Sequence, residues 1–234
     1  MTKRKKKRKI HLLIITLVFI VIILFVLDYF NVIPKPHYTA SDFRIDTVKS
    51  AVDFNGNGTD DYTDILLGAR MEADARPVYD PKYWDEGYPP DGIGVCTDVV
   101  WRAFKNAGYN LRRMMDNDIA AHLDLYPAIE HPDSNIDFRR VVNQHVFFKR
   151  YAVALTTDLQ EIDQWQPGDI VIFAGDEHIG IISDKRTKEG RPYLIHNGGL
   201  QVHYEEDVLE RKEIIGHYRF DASLINQSIL IPFE

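Results

Sequence analysis

The chain has 234 residues, 45% of them hydrophobic and a single one cysteine, which suits one sizeable domain with an appendage and excludes an intrachain disulfide framework. Its formal charge is −7, yet residues 3–9 are all Lys or Arg. Setting those seven apart from the 28 cations leaves 21 against 35 acids, a charge of −14 over residues 10–234, which argues against nucleic acid as a partner.

Behind this basic tip, residues 1–9, the run from Ile10 to Leu27 is apolar except for His11 and Thr16. As a helix it reaches about 27 Å, roughly the hydrocarbon thickness of a bilayer. Basic residues before the run and none close behind it place the tip in the cytoplasm and the rest of the chain outside. A cleaved signal peptide is the alternative. Its apolar core is normally shorter and ends at small residues, whereas Asp28-Tyr-Phe-Asn-Val-Ile-Pro34 follows here, so residues 10–27 read as an uncleaved anchor of a single-pass membrane protein. Residues 28–40, with Pro34 and Pro36, read as a stalk.

Residues 41–75 read as a helical segment around a loop. Phe43, Ile45, Val48 and Val52 suggest a first helix. Asp53-Phe-Asn-Gly-Asn-Gly-Thr-Asp-Asp-Tyr-Thr-Asp64 then places oxygen side chains at positions 1, 3, 5, 9 and 12, which are Asp53, Asn55, Asn57, Asp61 and Asp64. Gly58 falls at position 6 and Thr59 offers its carbonyl at 7. This is a calcium-loop register, because a hard cation takes six or more oxygens and the glycine allows the tight fold around it. Asp in place of Glu at position 12, with neutral Asn at 3 and 5, sets a modest affinity. The loop resembles dockerin and thrombospondin-type calcium repeats, which implies a structural Ca2+. An Asx/Gly turn cluster capping a helix that begins near Thr63 is the other reading. No organic cofactor is expected.

Residues 76–234 form the remaining domain. Pro77 to Asp91 is rich in Tyr, Trp, Pro and Asp, and Tyr79, Tyr83, Trp84 and Tyr88 either wall a cleft or pack. Next comes Gly92-Ile-Gly-Val-Cys-Thr-Asp98. Val99, Val100, Ala103, Phe104 and Ala107 recur at helical spacing until Gly108, so Cys96 opens a helix. A thiol there feels the positive end of the helix dipole, which favours thiolate; a lone cysteine is also often a small buried hydrophobe.

Helices are expected around residues 117–125 and 143–149, with a polar loop over Asp133–Arg140. His122, His131 and His145 have no useful partner spacing and read as surface or satisfied histidines. The C-terminal third is β-rich: Asp169–Phe173, His178–Ser183, Tyr193–His196, Val202–Tyr204 and His217–Phe220 form an antiparallel meander. The class is therefore α+β, with the cysteine helix packed on the sheet. A hairpin turning near Lys188 puts His196 opposite Gly180, so His178 and His196 become diagonal neighbours about 7 to 8 Å apart at Cα. A thiol, a base and a third polar group that orients the base meet the needs of nucleophilic catalysis, giving Cys96, His178 and His196 in those roles, with Asn197 as a fallback for the third. A metal site on the same three residues is disfavoured, since no CxxC or HxxxH spacing is present.

Gly94-Val-Cys-Thr-Asp-Val-Val100, Asn135-Ile-Asp-Phe-Arg-Arg-Val141, Pro167-Gly-Asp-Ile-Val171, His178-Ile-Gly-Ile-Ile-Ser-Asp184 and Ile195-His-Asn197 resemble, in that order, the YijF-like family of bacterial envelope proteins, domain of unknown function 1287. The resemblance covers about residues 63–220. Its wider kin look like the NlpC-type cell-wall peptidases. That likeness implies a papain-like fold and a Cys-His-His triad of Cys96, His178 and His196. It also implies a peptidase or amidase acting on peptidoglycan or its stem peptides. Many such enzymes carry Asp just before the cysteine to engage the stem-peptide amine, and this chain has Val95, so amidase, another peptidase specificity or acyl transfer stay open. A non-catalytic wall-binding or scaffold module on the same fold is the alternative.

Overall fold

A computed structural model describes residues 3–30, 32–33, 35–199, 201 and 203–234, with side chains from residue 8 onward. It divides into two units, Met1–Lys35 and Pro36–Glu234. The first is built on helix α1, Lys3–Tyr29, of which Arg8–Tyr29 is long and apolar enough to cross a membrane. Pro34 of the expected stalk lies outside the described residues.

The second unit begins with a 3₁₀ turn, Ala40–Phe43, and the helix expected through Val52 does not form. Arg44 turns into the left-handed region at φ 57° and stops it, and the β-branched residues that follow run irregularly, with the N–H of Val48 donating to the side chain of Gln166 at 3.0 Å. Helix α2, Asp61–Ala75, starts at Asp60, whose carboxylate accepts the Thr63 N–H, and ends at Arg76 in the left-handed region. Short strands β1, Val78–Tyr79, and β2, Ile93–Gly94, pair in parallel and lead directly into α3, Cys96–Asn106.

Helix α4, Leu111–Ala121, begins earlier than its apolar pattern indicated because the Asn110 side chain caps it through the Arg113 N–H. A 3₁₀ turn at Asp137–Arg139 interrupts the stretch read as a polar loop and precedes α5, Val141–Tyr151. The strands are β3, Val153–Ala154; β4, Ile170–Phe173; β5, Ile179–Arg186; β6, Pro192–Ile195; β7, Glu205–Glu206; and β8, Ile214–Arg219. They form one antiparallel sheet in the order β3-β8-β4-β5-β6-β7. The meander holds from β4 to β7; β8 then returns to the far side of β4. Val202, expected in a strand, lies outside the described residues, and the strand in this region is β7 instead. The class is α+β.

Strand alternation divides the core. Ile170, Ile172, Ile179, Ile181 and Ile195 join the helices in one cluster with Val99, Phe104 and Phe148, while Val171, Phe173, Ile182 and Leu194 form a second cluster with Trp165 and Leu209 on the other face. Helix α3 therefore packs on the isoleucine face of β5. Helix α2 covers α3 in turn, at a point where Gly68 leaves no room: a Cβ there would lie 2.5 Å from Asn106 Cβ and 2.9 Å from Ala103 Cα.

Candidate active site

Cys96 is the first residue of α3 and is 5% exposed. What fixes it is Asp98, a buried carboxylate whose Oδ1 accepts from Arg139 Nε and Trp101 Nε1, both at 2.8 Å. Its Oδ2 accepts from Arg139 Nη2 at 2.9 Å and from the Val95 N–H at 2.7 Å. Asp98 thereby caps α3 from inside the helix while neutralising Arg139, which sits on the Asp137–Arg139 turn. Thr97 Oγ1 donates to the Arg139 carbonyl at 2.9 Å and Gln144 Nε2 donates to the Thr97 carbonyl at 3.3 Å, adding α5 to the same frame. Neither Asp98 nor Arg139 was singled out from the sequence, although both fall inside the ordered motifs.

The backbone N–H groups of Ile179, the residue after His178, and of Thr97 and Cys96 itself lie near enough to the sulfur to favour its negative form. The sulfur thus meets the sheet at the start of β5. Burial pushes the thiol up to about 11, against the lowering expected of a helix N-terminus; removal from water outweighs the dipole and the three N–H groups. Cys96 rests as a thiol.

The register Ile181↔Ile195 places His196 opposite Gly180, as the hairpin reading required, and His178 and His196 are diagonal neighbours. Their rings lie 4.9 Å apart, edge to face, with His178 Nε2 and His196 Nδ1 at 2.8 Å. Gly180 is needed because a Cβ would press on Leu194 Cγ and the Ile195 carbonyl, each at 2.8 Å. His178 is held down to about 3, first by burial, then by its electrostatic coupling to the neighbouring His196 ring and to Lys212. Beyond His196 stands Glu206, buried, with Oε1 at 3.3 Å from His196 Nε2. Sequence reasoning missed it, because β7 is only two residues long and its register was not legible.

By alternation both rings belong to the face of Ile182 and Leu194, opposite the one α3 covers. Among the described residues, their side-chain hydrogen bonds run to each other and to Glu206, and none reaches the sulfur. The structure therefore joins His178 to His196 directly, and sets Cys96 against the His178–Ile179 peptide rather than against an imidazole nitrogen. Asn197 is engaged elsewhere: its Nδ2 donates to the carbonyls of Gly94 and Pro77, tying the end of β6 to β1 and β2. Tyr79 stands 42% exposed over Gly199, close enough to feel charge at Cys96, whereas Tyr88 packs between Trp101 and Phe138.

In the loop at residues 53–64, Asn55 Nδ2 and Asn57 Nδ2 both donate to Asp64 Oδ2 at 2.9 Å, and Asp53 accepts the N–H groups of Asn57 and Gly58. Positions 1, 3, 5 and 12 thus converge. Asp61 does not join them: its carboxylate accepts from the Tyr109 hydroxyl at 2.6 Å and the Phe54 N–H at 2.9 Å. Burial raises Asp64 above the usual carboxylate range; the Asn55 and Asn57 bonds oppose this, and Asp53 and Asp60 add to it. Thr59 lends its N–H to the Asn57 side chain at 2.7 Å. Among the described residues no group of three or more His, Cys, Asp or Glu could hold a metal ion, so oxygens for a cation here would have to include amide and backbone carbonyls.

Comparison with known proteins bears on the same segments. The uncharacterized protein YijF of Escherichia coli (strain K12) is 39% identical over 166 residues, covering 67% of this chain and 80% of that protein. No solved structure matches. The profile of a family described as a domain of unknown function, DUF1287, matches residues 66–220, a span that holds Cys96, Asp98, Arg139, His178, His196 and Glu206, and the chain belongs to that family.

Proposed function

We propose that this protein is a membrane-anchored, extracytoplasmic cysteine hydrolase of the papain-like, NlpC type, a peptidase or amidase acting on peptidoglycan. The observation that carries the reading is the His178–His196 contact at 2.8 Å, beside a strand whose first N–H lies near the sulfur of a helix-start cysteine. The five ordered motifs support kinship with the DUF1287 family, and the likeness of that family's wider kin to NlpC-type peptidases supports the papain-like assignment. The basic tip ahead of α1 supports an N-terminus in the cytoplasm and a domain outside.

Because thiol and imidazole both rest neutral, proton transfer accompanies attack. At rest the His178 ring bonds to His196 and not to the sulfur, so in this mechanism it first turns at the end of its strand to reach Sγ. Sγ then adds to the carbonyl carbon of the scissile amide while His178 Nδ1 takes the S–H proton. A C–S bond forms, and the carbonyl π pair moves to oxygen, where the Cys96 N–H supplies part of the oxyanion hole. Collapse breaks the C–N bond, with His178 returning the proton to the departing amine. Water, losing a proton to His178, then cleaves the thioester and restores the thiol. Val95, buried where many NlpC-type enzymes carry Asp, offers no carboxylate to the stem-peptide amine, which leaves amidase, another peptidase specificity and acyl transfer open beside cleavage at the usual bond.

The second reading, a non-catalytic wall-binding or scaffold module, is favoured by the enclosed sulfur and by the lack of a bond from it to either ring. Full-length protein in detergent, incubated with murein, separates the two. The hydrolase releases wall fragments detectable by mass spectrometry, and Cys96→Ala loses at least about a thousandfold of that rate. Equal inertness of both proteins leaves the scaffold.

A structural Ca2+ in the 53–64 loop completes the proposal. Asp53, Asn55, Asn57 and Asp64 supply side-chain oxygens and Thr59 its carbonyl, once the two amides turn their oxygens inward; Asp61, at position 9, would act through water or stay with Tyr109.

A further inference from the structure

His178, His196 and Glu206 sit at the ends of β5 and β6 and within β7, all on one face. Opposed pairs Ile181↔Ile195 and Leu194↔Glu206 make each residue the diagonal neighbour of the next. The contacts run His178 Nε2 to His196 Nδ1 at 2.8 Å, then His196 Nε2 to Glu206 Oε1 at 3.3 Å. His196 is 7% exposed and Glu206 3%, so bulk water has little access to the middle of this chain.

Direction along the chain follows from the groups themselves. An ionised carboxylate only accepts hydrogen bonds, and a neutral imidazole carries a single N–H. With the Glu206 carboxylate as acceptor and a single proton on the His196 ring, that proton sits on Nε2, facing Glu206. Its Nδ1 is left to accept, and the donor must be His178 Nε2–H. His178 then has a bare Nδ1, the nitrogen that has no hydrogen bond among the described residues. We propose that Glu206 is a positioning residue that, acting through His196, fixes His178 in the tautomer able to take a proton from Cys96. This rests on the hydrolase reading for its purpose, and on the three side chains alone for its content.

Reversal is built into the same logic. A glutamine at 206 can donate from its amide to His196 Nε2, which moves the His196 proton to Nδ1. That N–H then points at His178 Nε2 and drives the His178 proton to Nδ1, where it blocks acceptance from a thiol.

The test is a long-range proton–nitrogen correlation spectrum of full-length protein labelled with 15N-histidine, in detergent at pH 7, assigned with His178→Gln and His196→Gln. Wild-type protein is expected to show both residues as Nε2–H tautomers, and Glu206→Gln to shift at least half of the His178 population to Nδ1–H. An Nδ1–H tautomer at His178 or an imidazolium at His196 in the wild type overturns the inference, as does an unchanged His178 signature in a folded Glu206→Gln protein. Should that variant not fold, the wild-type spectrum decides alone. Expected tautomers together with no release of wall fragments would sink the hydrolase and leave this inference standing; the opposite pair of results would do the reverse.

Discussion

Cys96 stands where two electrostatic effects oppose each other. The helix dipole and three N–H groups favour negative sulfur, while burial among apolar neighbours disfavours it, and burial dominates. Only the first effect is visible in the order of residues, which is why the sequence left a reactive thiolate and a small buried hydrophobe both open. The two produce different alkylation profiles. Attack on iodoacetamide requires thiolate, so a thiol near 11 reacts slowly at pH 7 and speeds up about tenfold per pH unit through pH 9. A rate already level between pH 5 and 8 would mean a thiolate–imidazolium pair and would overturn this account. Labelling reports on Cys96 alone, as it is the single cysteine. Asp98 illustrates the complementary case of a buried charge with every neighbour in place: its four hydrogen bonds join the start of α3 to Arg139 and Trp101, so the helix end that carries the sulfur is held by an ion pair.

Among the elements, the α2–α3 contact sets how closely the cysteine helix is covered. Glycine inside a helix costs about 1 kcal/mol relative to alanine, so Gly68 needs a packing reason, and the 2.5 Å approach to Asn106 Cβ supplies it. Gly68→Ala would gain that propensity but force the helices apart, a strain of about 1–3 kcal/mol, and the expected net result is a loss on the order of 1 kcal/mol in urea unfolding. A more stable variant would show that the helices separate freely. The strand parity that brought His178 and His196 together was legible because the side-chain period of a strand is two and the turn near Lys188 is short. The partner beyond them was not. Glu206 lies in a strand too short to show alternation, just beyond the residues read as a strand, Val202–Tyr204. The helix expected over residues 43–52 failed for a related reason: apolar residues there matched a helical period, yet Arg44 adopts a left-handed conformation that no pattern of hydrophobicity records.

At the scale of the whole unit, Pro36–Glu234, the 53–64 loop is a junction rather than an ornament. Asn55 Nδ2 donates to the Asn106 carbonyl at the end of α3, Phe54 stacks on Tyr109 at 4.2 Å, and Asn106 Nδ2 donates back to the Asp64 carbonyl in α2. The Gly108 carbonyl beside it accepts from the Phe233 N–H, so the C-terminal segment closes on the same place. An ion bound here would stabilise every element that meets there, because binding to the folded state alone adds free energy of folding. At a calcium concentration a hundredfold above Kd the gain is about 2.7 kcal/mol. For a unit of this size each kcal/mol moves Tm by about 2–4 °C. Chelation is therefore expected to lower Tm by roughly 5–10 °C. Asp53→Ala, besides lowering Tm through its own lost hydrogen bonds to Asn57 and Gly58, should erase the difference between calcium and chelator. If wild-type protein melts at one temperature in both, the two asparagine amides are simply donating to Asp64, and the loop is an Asx/Gly cap on α2 that holds the junction through hydrogen bonds alone.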